Sequence, residues 1–216
     1  MRVLLIIAAA GTPVTPATAT SDAGLADAVS VLETQVKLQK IDFWVRNPDF
    51  FLALTLLKDF ETSREPYLLE LADQILASEE PEVRRYPMLR HLFGAYEPLD
   101  HALGVLRLAG LVVRRKRGNP GHIQQHDYYL TSRGRAAVDK ILLEAPAFFT
   151  YFFVERVNLV AALTEGYGGT QLKARQYLHE EYRDTAIGDR IGSVAARARS
   201  RLTELKAEAA GMGSSR

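Results

Sequence analysis

Residues 99–135 read LDHALGVLRLAGLVVRRKRGNPGHIQQHDYYLTSRGR, and this stretch decides the fold. Its first twelve residues repeat apolar side chains at helical spacing and end at Gly110, a residue type that commonly terminates helices. Two β-prone runs follow on either side of turn residues 118–121, which predicts a basic β-hairpin. Thr131 then caps another helix, because its hydroxyl can accept from the free N–H groups of the first turn.

The residues upstream predict further short elements. An amphipathic helix is expected before Ser78, with Leu68, Leu71, Ala72, Ile75 and Leu76 on its buried face. Residues 83–86 read as a minimal strand, because Pro87 disfavours helical backbone before it. Prolines open a short helix over residues 88–93 and another from residue 98, with a turn between them. The order is therefore helix, strand, helix, turn, helix and hairpin.

The hairpin and its flanks resemble a known family. The leucine-rich helix ends in Gly110-Leu111-Val112, and the hairpin returns as Tyr128-Tyr129-Leu130-Thr131, followed by Arg133-Gly134-Arg135. This pattern resembles the PadR-like and MarR-like winged helix-turn-helix transcriptional regulators, over residues 66–142. The resemblance implies a mainly α fold with a small β-hairpin wing and flanking N- and C-terminal helices. It also implies duplex DNA as the partner and transcription regulation as the function.

Changes in composition and the positions of proline and glycine residues divide the chain into five consecutive parts. We expect a flexible tail over 1–34, a helical extension over 35–65, the winged helix-turn-helix domain over 66–145, a C-terminal helical region over 146–209 and a tail over 210–216. The apolar run 3–10 imitates a short signal peptide, but its single positive charge and the following Thr, Pro and Ala favour a tail or an overlong gene start. No segment approaches the ~20 apolar residues of a membrane span, and we expect a cytoplasmic protein.

The positive charge is concentrated in one segment. The net charge is +1, yet residues 81–140 hold eleven Lys and Arg against five Asp and Glu, whereas residues 1–80 hold six against twelve. Such a local excess is typical of a surface that binds the DNA backbone. The residues that we predict to contact phosphates are Arg84, Arg85, Arg90, Arg114, Arg115, Lys116, Arg117, Arg133 and Arg135.

The helix near residues 97–109 is the candidate recognition helix. With its leucines in the core, its outward face holds the four residues that we predict to contact base edges: Asp100, His101, Gly104 and Arg107. Arg107 can donate to guanine, Asp100 can accept from cytosine, and Gly104 allows close approach. A basic hairpin also suits a solvated sheet edge, and winged helices also bind proteins. A protein-interaction adaptor that does not bind DNA is therefore the alternative function.

The last helix carries an apolar seam with three-to-four spacing. We expect this seam to form a homodimer interface, because a second half-site gives a DNA-binding protein affinity and specificity, although packing within the chain would satisfy it equally. Its members are Ile191, Val194, Ala198, Leu202 and Leu205. The Phe-rich residues 148–153 have two interpretations, the lining of an unidentified effector pocket or core and dimer packing, and the second is favoured.

The sequence offers no positive sign of catalysis. The absence of cysteine excludes disulfides, thiolate catalysis and cysteine-ligated metals. The scattered histidines at 91, 101, 122 and 126 lack the spacing of a metal motif, and no nucleophile-elbow or phosphate-loop pattern occurs. We therefore expect neither an enzyme nor a bound metal or cofactor.

Overall fold

A computed structural model describes residues 1–15, 17, 21–49, 54–77, 88–91, 95–119 and 122–213 of the chain. The chain divides into two units, each built from two segments. Unit 1 comprises Met1–Val45 and Tyr96–Arg175, and unit 2 comprises Arg46–Ala95 and Gln176–Arg216. This discontinuous division differs from the five consecutive parts expected from the sequence, since residues 66–95 and the hairpin belong to different units.

The fold is mainly helical, as the sequence predicts. In chain order the helices are α1 (Arg2–Ala10), α2 (Gln35–Arg46), α3 (Leu54–Ser63), α4 (Pro66–Ala77), α5 (Asp100–Leu108), α6 (Ser132–Glu144), α7 (Ala147–Phe149), α8 (Arg156–Leu163), α9 (Gly169–Gln176), α10 (Glu180–Arg183) and α11 (Ala195–Gly213). A π-helical segment, Thr150–Glu155, joins α7 to α8. Over the described residues, the structure contains no helix with the length and apolar character needed to cross a membrane.

Unit 1 contains an antiparallel sheet. Its strands are β1 (Thr12–Pro13), β2 (Ala28–Leu32), β3 (Val112–Asn119) and β4 (His122–Thr131), in the order β1-β2-β4-β3. The predicted hairpin is present as β3 and β4, with Val112 opposite Leu130. The strand predicted at residues 83–86 lies outside the described residues. β2 pairs with the other side of β4, so the sheet is wider than the predicted hairpin.

α1 lies in the core of unit 1, so the predicted flexible tail over residues 1–34 is wrong. Residues 3–8 of this helix are all buried. The helix packs against β2, α6 and α8. A helix that is apolar on every side is stable when other elements enclose it, which is the situation here. β1 and β2 follow α1 and complete the sheet.

The five residues of the predicted seam are buried inside unit 2. Ile191 and Val194 precede α11, and α11 itself packs against α3 and α4 of the same chain. Exposed ion pairs also link α11 to α3 and α4 at the rim, with Arg201 Nη2 2.7 Å from Glu61 Oε1 and Lys206 Nζ 2.8 Å from Asp73 Oδ1. A seam that is already enclosed offers no apolar face to a second copy. The assignment of the following residues to a dimer interface is therefore wrong: Ile191, Val194, Ala198, Leu202 and Leu205.

The Phe-rich segment is only partly buried. Phe148 is 65% exposed, while the rings of Phe149 and Phe153 lie 4.8 Å apart between centroids. Burial becomes continuous further along, at Val154 and Val157. Within residues 148–153 the described side chains are exposed or half-buried, so the predicted core packing is not found there, and the side chains of residues 151 and 152 are not described.

The short helix predicted over residues 88–93 is wrong for its first four residues. Leu89 forms an isolated antiparallel bridge with Arg190, and the Arg90 N–H donates to the Asp189 carbonyl at 2.9 Å. This segment is therefore extended and pairs with the loop before α11. Residues 92–93 lie outside the described part of the chain.

Candidate nucleic-acid interface

α5 presents the residues that the sequence predicts to face outward. Three buried leucines attach the helix to the core of unit 1: Leu99, Leu103 and Leu106. The four predicted base-contacting residues are all exposed or partly exposed: Asp100, His101, Gly104 and Arg107. A Cβ placed on Gly104 would meet no atom within 4 Å, so the surface beside this residue is open. This face can therefore accept the close approach of a large partner.

The same helix also exposes apolar side chains outside the predicted base-contacting set. Val105 is 53% exposed and Leu108 is 91% exposed. Apolar groups at such positions can contact thymine methyls in the major groove or the apolar surface of a protein. The outer face of α5 is therefore mixed in character rather than purely polar.

Thr131 joins the end of α5 to the hairpin and to α6. Its Oγ1 donates to the Gly110 carbonyl at 2.8 Å and accepts from the Gly134 N–H at 2.9 Å, as the predicted N-cap of α6. Gly110 has φ +69°, a backbone conformation that favours glycine, and it ends the helix. A Cβ on Gly134 would overlap the Leu111 carbonyl oxygen, so this close approach requires glycine. These contacts explain why both glycines and the threonine occur together.

One face of the hairpin is directed toward α5. Across the hairpin, Arg114 lies opposite Tyr128 and Lys116 lies opposite His126. Burial lowers the pKa of His126, and the charges of Arg114 and Lys116 lower it further. Burial raises the pKa of Tyr128 to about 12, with Arg114 and Arg107 opposing the rise. Among the described residues, neither Arg114 nor Lys116 forms an ion pair, so both charges are available to a ligand.

The opposite face of the hairpin is neutralised by carboxylates. Arg115 Nε lies 2.5 Å from Asp22 Oδ2, and this bond lowers the pKa of Asp22. Arg117 Nη2 lies 2.9 Å from Asp127 Oδ2 and 3.3 Å from Glu33 Oε1. Because side chains alternate along a strand, the four consecutive cations of the wing divide into two available and two compensated charges.

A pocket of about 360 Å³ lies between the end of α5 and β3. Arg107 enters it from the helix and Arg114 from the strand, with the open side of Gly104 beside them. The remaining lining residues are mainly apolar: Leu108, Val112, Val113 and Arg115. The structure therefore brings a predicted base-contacting residue and a predicted phosphate-contacting residue to one pocket.

The other predicted phosphate contacts are not all at this surface. Arg133 is exposed at the start of α6, whereas Arg135 is partly buried and donates to the Ala8 carbonyl at 3.4 Å. Arg90 belongs to unit 2, where its guanidinium donates to the Tyr182 carbonyl at 2.8 Å and stacks on the Tyr182 ring. The assignment of Arg90 as a phosphate contact is therefore wrong. Arg84 and Arg85 lie outside the described residues.

Sequence reasoning missed the acidic partners of the wing. Asp22 begins a 3₁₀ turn at Ala23–Leu25 and Glu33 follows β2, in a segment that the sequence predicts to be a tail. The sequence signal that could have indicated these acidic partners is the alternation of side chains along a strand. It predicts that two of four consecutive basic residues face away from the helix and need other partners.

The surface formed by α5 and the available wing cations can bind anions. Guanidinium and ammonium groups donate to phosphate oxygens, and Asp100 and His101 can form hydrogen bonds with base edges. Within the described residues, no group of three or more His, Asp or Glu side chains is arranged to hold a metal ion.

The comparisons with known proteins found no relative of this chain. No family model, curated protein or solved structure matches this chain. Its function is therefore inferred from the geometry of α5 and the β3–β4 hairpin.

Proposed function

We propose that this protein is a DNA-binding transcriptional regulator of the winged-helix type that acts as a homodimer. One observation carries the proposal. Arg107, Arg114 and Lys116 lie on the α5 side of the hairpin, and none of them has an ion-pair partner among the described residues. Unpaired cations beside an exposed helix can bind the phosphates of a duplex while the helix contacts the edges of its bases.

The order of elements in unit 1 supports the winged-helix assignment. Apart from the short β1 and the 3₁₀ turn before β2, unit 1 contains α1, β2, α2, α5 and the hairpin in chain order, that is, helix, strand, helix, helix and two strands. The sequence predicts the same kinds of element in the same order, but it takes them from residues 66–93, which belong to unit 2. In unit 1 the first three elements are instead α1, β2 and α2. Residues 46–95, which belong to unit 2, are inserted between the second and third of these helices.

In the proposed complex, α5 lies in the major groove. Asp100 and His101 contact base edges from the first turn of the helix, as recognition helices do with their N-terminal residues. Lys116 on the hairpin and Arg133 at the start of α6 hold phosphates on either side. A second copy contacts the second half-site through a surface other than the seam of α11.

Fluorescence anisotropy with a random-sequence duplex tests the proposal. We expect the logarithm of affinity to fall linearly with the logarithm of salt concentration. Replacing Arg107, Arg114 and Lys116 with alanine should reduce the slope by about 0.9 for each phosphate that the variant no longer binds, which is two to three phosphates. A matched variant removes three cations that are already ion-paired and should leave the slope unchanged: Lys140, Arg183 and Lys206.

A protein-binding adaptor is the second candidate function. The exposure of Val105 and Leu108 on α5 favours it, because large apolar side chains on a recognition surface suit a protein partner. The same titration distinguishes the two functions. An adaptor shows no duplex binding at about 50 mM salt, where electrostatic DNA binding is strong, whereas the regulator binds there and releases the duplex as salt rises.

A further inference from the structure

We infer that Arg107 and Arg114 hold one phosphate group between them, in the pocket between the end of α5 and β3. This inference reassigns Arg107, which the sequence predicts to read a base. The identification of the phosphate as part of DNA rests on the proposed function. The site itself depends only on the two arginines and the pocket.

The geometry of the pocket brings two positive charges to one opening. Arg107 lies in the last turn of α5, and Arg114 is the third residue of β3, yet both line the same space of about 360 Å³. Arg115 also lines it, but its charge is balanced by Asp22. Over the described residues, neither Arg107 nor Arg114 has a carboxylate partner. Two uncompensated guanidinium groups repel each other, and a bridging anion removes that repulsion.

The electrostatic environment of Tyr128 supports the closeness of the two arginines. The charges of both Arg114 and Arg107 act on its phenol and oppose the rise of its pKa that burial causes. The hydroxyl is buried and has no hydrogen-bond partner among the described residues. Both guanidinium groups therefore lie within electrostatic range of a single fixed point beside the pocket.

The position of β3 in the sheet adds hydrogen-bond donors. β3 is an edge strand, since it pairs only with β4 in the described part of the sheet. Four consecutive residues, 112–115, line the pocket, so the pocket opens along the free edge rather than on one face. An edge strand presents backbone N–H groups that lack a strand partner. Such groups donate to phosphate oxygens in addition to the arginines.

The two arginines favour a phosphate as the ligand. A planar guanidinium matches two phosphate oxygens at once, and hydrogen bonds between two charged groups are stronger than those between neutral groups. The same chemistry is offered by a DNA phosphodiester and by a free phosphate ion, and the experiment separates these sources.

The first arm of the experiment measures the salt slope of binding to a random-sequence duplex for Arg107→Ala, Arg114→Ala and the double variant. If the two residues share one phosphate, each single variant keeps most of the slope and the slope of the double variant falls by about 0.9. Their effects on affinity are then non-additive. A fall of about 1.8 in the double variant means two separate phosphates and overturns the inference. A fall of about 0.9 in Arg114→Ala alone, with none in Arg107→Ala, assigns Arg107 to base reading and also overturns it.

The second arm needs no DNA and therefore separates failure of the site from failure of the proposed function. Inorganic phosphate is added at constant ionic strength, and the methyl resonances of Leu108, Val112 and Val113 are followed by NMR. Saturable shifts that disappear in the double variant support the site, with free phosphate as a source, even if no duplex is bound. Lys140→Ala is the control, and its methyl resonances should shift as those of the unmodified chain do. Absence of shifts together with absence of duplex binding refutes the site, and either overturning result in the first arm refutes the shared phosphate by itself. Absence of shifts together with the shared slope supports the site, with the DNA phosphodiester as its ligand.

Discussion

The guanidinium of Arg115 and the carboxylate of Asp22 form a two-point ion pair, with Nε 2.5 Å from Oδ2 and Nη2 3.1 Å from Oδ1. The Gly24 N–H donates to the same carboxylate at 2.8 Å. A Cβ on Gly24 would overlap Arg115 Nη2, so glycine leaves room for the guanidinium. The N-terminal segment is thus built to neutralise one of the four cations of the wing.

Removing both charges of this pair should leave DNA binding unchanged. We expect the Asp22→Asn, Arg115→Gln double variant to keep the affinity and salt slope of the unmodified chain, because the pair contributes no net charge. Arg115→Gln alone leaves the Asp22 carboxylate uncompensated near the duplex and should weaken binding. Anisotropy titrations of the three proteins test this. Equal weakening in the single and double variants would show that Arg115 itself contacts phosphate.

Thr131 should contribute to stability in proportion to its hydroxyl bonds. Thr131→Ala removes the N-cap of α6 and the bond to the Gly110 carbonyl, and we expect a loss of about 1–2 kcal/mol in the free energy of unfolding. Thr131→Ser keeps the hydroxyl and should recover most of that loss. Urea unfolding followed by circular dichroism measures both values. The interpretation is wrong if serine and alanine destabilise equally.

Leu205 should be a core residue and not a dimer contact. Its side chain is 0% exposed within the single chain, so Leu205→Ala should reduce the free energy of unfolding by about 2–5 kcal/mol. Leu178→Ala, at an exposed position of the same unit, is the matched control and should cost much less. Sedimentation equilibrium should give the same association constant for both variants and the unmodified chain. Selective dissociation by Leu205→Ala without loss of stability would restore the seam as an interface.

His179 should make stability fall in acid. Burial lowers its pKa to about 4, and the charges of Lys58 and Arg197 add to the effect, whereas the unfolded chain titrates near 6.5. The unfolded state therefore binds the proton first, so stability is complete above about pH 6.5 and is lost progressively as the pH falls toward 4. Between pH 7 and pH 5 this amounts to about 2 kcal/mol.

Urea unfolding at the two pH values measures this loss. The His179→Gln variant should lose about 2 kcal/mol less than the unmodified chain over the same interval, because it no longer carries the titrating group. Leu178→Ala, at an exposed position of the same unit, is the control and should keep the pH dependence of the unmodified chain. An identical pH dependence in His179→Gln would show that the proton binds elsewhere.

Local signals in the sequence were sufficient for α5, the hairpin and α6. Gly110, Thr131 and Gly134 act on their immediate neighbours, and their stereochemical roles can be recognised without knowledge of the rest of the fold. The burial of α1 depends on α8, which lies more than a hundred residues later, and its short apolar run imitates an export segment. The ion pair of Arg115 with Asp22 is equally non-local. Periodicity along a helix or strand specifies a face but not what covers that face.

The apolar seam that begins at Ile191 and continues in α11 shows the same limit of local sequence patterns. Its three-to-four spacing correctly identifies five buried residues, and it is compatible with a partner helix in another chain or in the same one. The distinction depends on α3 and α4, which are separated from α11 by the whole of the hairpin and its flanks. The two-segment construction of both units could not be read from any local pattern.

The burial of α1 has a consequence for synthesis of the chain on the ribosome. Its six buried apolar residues leave the ribosome before α8, against which they pack and which is completed only at Leu163. At about 5–20 residues per second, the nascent helix waits roughly 10 to 30 s for this partner. During that interval an exposed apolar segment is a target for chaperones and for association between neighbouring polysomal chains. Efficient production of this protein should therefore depend on whatever shields α1 during that interval.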